Sequence, residues 1–188
     1  MRLILTMLLT IITVAAISQQ IDKDEKDDFT GTRRITTKPF AGNSWKKTDF
    51  IDNKFNVLFN AVYSKGKDNE GVYLLSLNII TTVKFGCLSE YQGKIMLLFE
   101  NDSTMTLKQL SKTDCSSSVL AANYIPLDEE QAKDPLWKDL LESNVKILAE
   151  NKVKKLRVYG SDGYYDFEIK DDKRDIIIQH LKSIQTKL

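Results

Sequence analysis

The chain has 188 residues, with 27 Lys+Arg against 26 Asp+Glu and a formal net charge of +1. That balance excludes a strongly basic nucleic-acid binder and an acidic tail protein, and 42% apolar residues exclude a disordered chain. One histidine and two cysteines are too few for most metal centres, so neither a metal nor a cofactor is expected.

The N-terminus reads as an address. Met1-Arg2 supplies a positive start, and residues 3–16 are apolar except for Thr6, Thr10 and Thr13. Ala16 and Ser18 then place small side chains three residues and one residue before a signal-peptidase cut. The apolar run, about 14 residues, falls short of the roughly 20 that span a bilayer. Residues 1–18 are therefore expected to be a signal peptide, and the mature chain periplasmic or secreted, without stable membrane insertion. Losing Arg2 leaves that chain formally neutral. In an oxidising compartment Cys87 and Cys115 are expected to form one disulfide. Closing a loop of about 28 residues stabilises by roughly 3–4 kcal/mol in the chain-entropy model.

Residues 19–28 (QQIDKDEKDD) hold one apolar side chain and read as a solvated leader. Their acids lack the glycine and distal glutamate of a calcium loop. A single domain is expected over residues 29–188. Residues 33–40 form a weak strand ending near Pro39. Phe55, Val57, Phe59, Ala61 and Tyr63 alternate on one face of the next strand. Residues 72–83 are β-branched and apolar on both faces, as in a central strand, and residues 64–71 (SKGKDNEG) form the turn between the two. Residues 95–99 and 105–110 make a further pair around Asn101-Asp102-Ser103, and residues 119–125 a short strand.

The final third changes period. Asp128 with Gln131 has capping-box spacing, and Asp134-Pro135 is a second helix start. Leu136, Leu140, Leu141, Val145 and Leu148 follow at helical spacing. Residues 153–159 alternate again, Ser161-Asp162-Gly163 turns the chain, and Tyr165, Phe167 and Ile169 line the return strand. Asp171 and Asp172 are expected to cap a last helix with the stripe Ile177, Leu181, Ile184 and Leu188. The fold class is α+β: a largely antiparallel sheet with two helices of the C-terminal third packed on one face.

Catalytic signatures are missing: no Walker loop, no Gly-x-Gly-x-x-Gly and no Gly-x-Ser-x-Gly. His180 stands alone beside Leu181 and reads as a structural histidine at the margin of the buried stripe. Carboxylate pairs are available, for example Asp166 with Glu168, which share a face of the last strand. Lys152, Lys154, Lys155 and Arg157 form a basic cluster whose simplest reading is the polar face of a half-buried strand. Tyr159 and Tyr164 point away from the core by alternation, where they either pack across strands or anchor a partner. Gly42-Asn43-Ser44-Trp45 carries one residue too many for the lipocalin Gly-x-Trp, so a closed ligand barrel is not expected.

Asp28-Phe29-Thr30-Gly31, the strand Arg34-Ile35-Thr36-Thr37 and the stretch from Lys155 to Tyr164 (KLRVYGSDGY) resemble small exported bacterial proteins of uncharacterised function. The resemblance implies export and a single α+β unit and brings no catalytic residues with it. Together these features point to an exported, non-enzymatic domain that binds a partner protein, an envelope component or a small ligand. Tyr159, Tyr164, Lys155 and Arg157 are the candidate contacts, and nucleic acid is not expected. Two other readings stay open: a hydrolase using carboxylates, and a carrier of a hydrophobic ligand.

Overall fold

Turn chemistry sets the local pairing. The computed structural model describes residues 20–40, 45–47, 55–66, 71–81, 93–110 and 119–188. Within them lie ten strands: β1 (Ile21–Lys26), β2 (Arg33–Thr37), β3 (Trp45–Lys47), β4 (Phe55–Lys65) and β5 (Val72–Thr81), then β6 (Lys94–Phe99), β7 (Thr104–Gln109), β8 (Val119–Ile125), β9 (Val153–Gly160) and β10 (Gly163–Ile169). The helices are α1 (Trp137–Glu150) and α2 (Ile176–Gln185). Among the described residues the strands form one sheet in the order β1-β2-β4-β5-β8-β7-β6-β9-β10-β3, antiparallel throughout. The fold is α+β, and five pairs of consecutive strands, β1–β2, β4–β5, β6–β7, β7–β8 and β9–β10, are antiparallel neighbours in the sheet.

Alternation decides which side each strand buries. Ile35, Phe59, Ala61, Leu75, Leu77, Ile95, Leu97, Leu107, Leu156, Val158, Phe167 and Ile169 are buried on one face. There they meet Leu148 and Ala149 of α1 and Ile176, Ile177, Leu181 and Ile184 of α2. Truncating one such leucine or isoleucine to alanine costs about 2–5 kcal/mol. A smaller cluster joins Leu141 and Val145 of α1 to Ile125 and Leu127, with Val72 and Leu74 against it. Those last two are outward residues at the start of β5, where the strand is apolar on both faces; Ser76 and Asn78 follow on that face.

Three expectations need correction. The leader is no free tail: residues 21–26 are β1, paired with β2 from Ile21↔Thr37 to Lys26↔Arg33. Its composition is that of an edge strand, exposed along all but Ile21, where charge discourages further pairing. The sheet therefore includes leader residues ahead of residue 29. Second, Asp171 and Asp172 do not cap α2. They open a single 3-10 turn over Asp171–Lys173, and α2 starts at Ile176 after Asp175, whose carboxylate accepts from Gln179 Nε2 at 2.7 Å. Third, the apolar stripes are shorter than the spacing implied, since Leu188 and Leu136 are exposed.

The capping box forms, but on a different element. Gln131 N–H donates to Asp128 Oδ1 at 2.8 Å and Asp128 N–H to Gln131 Oε1 at 3.1 Å. The pair closes the short turn Gln131–Lys133 ahead of α1. Gln131 Oε1 also accepts from Asn144 Nδ2 at 3.0 Å, which ties that turn to the helix.

Candidate functional site

Antiparallel register sets side chains of neighbouring strands in rows across the sheet. On the outer face of β7-β6-β9-β10 the pairings Lys94↔Lys108, Met96↔Thr106, Met96↔Arg157, Leu98↔Lys155, Tyr159↔Tyr164, Arg157↔Asp166 and Lys155↔Glu168 define three rows. The first runs Lys108, Lys94, Tyr159, Tyr164. The second runs Thr106, Met96, Arg157, Asp166, and the third Thr104, Leu98, Lys155, Glu168.

All four expected contact residues lie in these rows. Arg157 binds Asp166 through both donors, Nε to Oδ1 at 2.7 Å and Nη2 to Oδ2 at 2.8 Å. Its guanidinium carbon then sits 3.9 Å from the Tyr164 ring centroid. The bidentate bond fixes the guanidinium plane, and the plane supports the tyrosine by cation–π attraction. Tyr164 meets Tyr159 at 5.9 Å between centroids, tilted by 50°, and remains 55% exposed. Tyr159 is held harder. Its hydroxyl donates to Met96 Sδ at 3.1 Å, and Lys94 Nζ lies 4.8 Å from its ring centroid. Both tyrosines thus pack across strands, yet one ring face stays open.

The carboxylate pair is engaged. The Arg157 bond holds Asp166 below the usual carboxylate range, and the same bond raises Arg157. Glu168 pairs with Lys155 at 3.6 Å. Three residues of the basic cluster are paired, since Lys154 also bonds Asp102 in the β6–β7 turn. Among the described carboxylates with a resolved shift, Asp24, Asp27, Glu129 and Asp166 all move down, whereas a general acid at neutral pH needs a raised one. Among the described residues no group of three or more His, Cys, Asp or Glu is placed to hold a metal ion.

His180 sits inside, only 3% exposed, with Nδ1 2.6 Å from Thr37 Oγ1 and its ring edge-on to Phe59. Burial pushes its pKa down to about 4, so the imidazole is neutral at pH 7. The core void between Phe59, Leu75, Ile95, Leu156 and Ile177 is about 10 Å³, against about 300 Å³ or more for a ligand chamber. An open groove of about 690 Å³ lies between α1 and α2, rimmed by Glu142, Lys146, Glu150 and Lys182 over Tyr73. Its mixed charge selects no ligand sign. Among the described residues no helix is long and apolar enough to cross a membrane. Cys87 and Cys115 lie outside the described residues, as does Gly42-Asn43-Ser44.

Comparison with protein-family models, curated proteins and solved structures finds no match. The site stands on its own geometry. Lys94 and Met96 were not among the expected contacts, although the alternation of KIMLLF places both on the outer face. What the sequence lacks is the β6–β9 pairing that sets them beside Tyr159 and Arg157.

Proposed function

We propose that this chain is an exported, non-enzymatic binding domain whose partner docks on the outer face of the β9–β10 hairpin. One observation carries the reading: Tyr164 is half exposed while fixed from below by a guanidinium that Asp166 holds in place. A ring ordered before binding loses little side-chain freedom on contact, which is how aromatic anchors serve interfaces. Export rests on the N-terminal address and on the likeness to small exported bacterial proteins. The engaged carboxylates and the small core void lend no support to the hydrolase or carrier readings.

The test is Tyr164→Ala in the exported protein, with retention on immobilised native envelope components as the readout. Retention is expected to fall at least tenfold while the melting temperature moves by no more than a degree or two. A large drop in melting temperature with unchanged retention would assign Tyr164 to packing alone.

A further inference from the structure

The first row of the outer face has a charge pattern that its neighbours lack. Lys108 and Lys94 are direct cross-strand partners on β7 and β6, and like charges in that position repel. Glu129 neutralises Lys108 at 2.9 Å. Lys94 has no carboxylate at ion-pair distance among the described residues; its ammonium lies over the Tyr159 ring instead. The second and third rows are balanced by Arg157 with Asp166 and Lys155 with Glu168. An exposed cation therefore stands at one end of a tyrosine pair whose other end is an open ring face.

Resting on the binding reading above, we propose that this row is a site for an acidic carbohydrate. A sugar ring stacks on the open face of Tyr164, and a carboxylate of the same or the adjoining sugar meets Lys94. Lys94 and Tyr164 stand on β6 and β10, two strand spacings or about 10 Å apart, a length that two linked sugar rings cover. Tyr159 lies between them, its ring tilted by 50° from that of Tyr164 and 4.8 Å below the Lys94 ammonium. A protein partner fits less well, because a stable protein interface needs an apolar centre within about 1,600 Å² of buried surface. Tyr164 is the sole large exposed hydrophobic residue of these rows; Phe29, Leu110, Leu136, Ile147 and Leu188 lie elsewhere, on other elements or in loops. The flanking positions are paired charges and Thr104 and Thr106, which suit hydroxyl groups.

The experiment is calorimetric titration of the full exported protein with a hexuronic-acid oligosaccharide. The controls are the same oligosaccharide with its carboxylates reduced to alcohols, and inorganic triphosphate. Wild type is expected to bind the acidic sugar at least tenfold more tightly than either control. Lys94→Gln is expected to erase the preference for acid over alcohol while keeping weak sugar binding, and Tyr164→Ala to abolish both. Triphosphate binding as tight as the sugar would overturn the proposal in favour of charge alone. No sugar binding, with envelope retention still lost in Tyr164→Ala, would overturn it in favour of a protein partner and leave the binding face standing. Retention unchanged in Tyr164→Ala would remove the face itself.

Discussion

The imidazole of His180 and the hydroxyl of Thr37 are bonded at 2.6 Å across 143 residues of sequence. Thr37 is the last residue of β2, where the ladder with β4 stops after Thr36↔Val62. Its side chain continues the pairing in place of the backbone: Oγ1 accepts from Ala61 N–H at 2.9 Å and lies 3.2 Å from Ala61 O. If Nδ1 carries the imidazole proton, it donates to Oγ1 and the hydroxyl proton is free for Ala61 O, so every group finds a partner. One buried hydroxyl thus locks α2 onto the seam between two strands.

Protonating that histidine should loosen the seam. The unfolded imidazole takes up its proton near pH 6.5 and the folded one near pH 4. Between these values the unfolded state holds more protons, so stability increases with pH through this window. It is lost as pH falls from 6.5 to 4, by roughly 3 kcal/mol, and this contribution is flat below 4. The lowered carboxylates Asp24, Asp27, Glu129 and Asp166 act in the same direction, but only beneath about pH 4.5, where their unfolded counterparts protonate. Denaturant titrations from pH 7.5 to 4 should show the decline in wild type and a flatter profile in His180→Gln. Equal slopes in the two proteins would refute the assignment.

Thr37→Val isolates the other half of the pair. Valine keeps the shape but leaves Ala61 N–H and the imidazole nitrogen without their partner, at about 1–3 kcal/mol for each buried group. Thr37→Ser restores the oxygen and should recover most of the loss. Chemical denaturation at pH 7 measures both variants. A valine variant within 0.5 kcal/mol of wild type, roughly the spread of neutral surface changes, would show that the hydroxyl is dispensable.

How much of this was legible beforehand follows from the range of the forces. Hairpins, the α+β class and the outward tyrosines come from alternation and turn residues, which act over a few positions. The β6–β9, β5–β8 and β10–β3 pairings join distant segments, and nothing local encodes them. Lys94 therefore could not be set beside Tyr159. The composition of residues 19–28 does not distinguish an edge strand from a tail, because both are polar for the same reason. Gly71 ends a run of turn formers in the sequence, but a Cβ there would fall 1.9 Å from the Tyr63 hydroxyl oxygen, so close approach of the ring is what requires glycine. Its place beside Leu181 puts His180 at the margin of the buried stripe, whereas the ring lies inside, 3% exposed, and its partner Thr37 leaves no trace in the sequence.

The proposed export makes two covalent predictions. Mass spectrometry of the exported protein should find an N-terminus at Gln19, and non-reducing peptide maps should join the Cys87 and Cys115 peptides. Reduction should then cost roughly 3–4 kcal/mol in the chain-entropy model. Intact Met1 in the membrane fraction, or two alkylatable thiols in the native protein, would count against the respective claim.

The tip of the β9–β10 hairpin links backbone geometry to the binding face. Gly160 pairs with Gly163 around Ser161-Asp162, and Gly163 holds φ at +124°. A side chain strains that conformation by about 1–3 kcal/mol. No atom lies within 4 Å of where a Cβ would stand, so the cost is conformational rather than steric. Gly163→Ala should therefore relax the turn instead of creating a clash, and the next residue is Tyr164. Moving that residue off the Arg157 guanidinium would release the ring from its support. The variant should lose binding to the acidic oligosaccharide several-fold more than its modest fall in melting temperature suggests. Retained affinity together with the stability loss would show that the turn tolerates the strain without moving Tyr164.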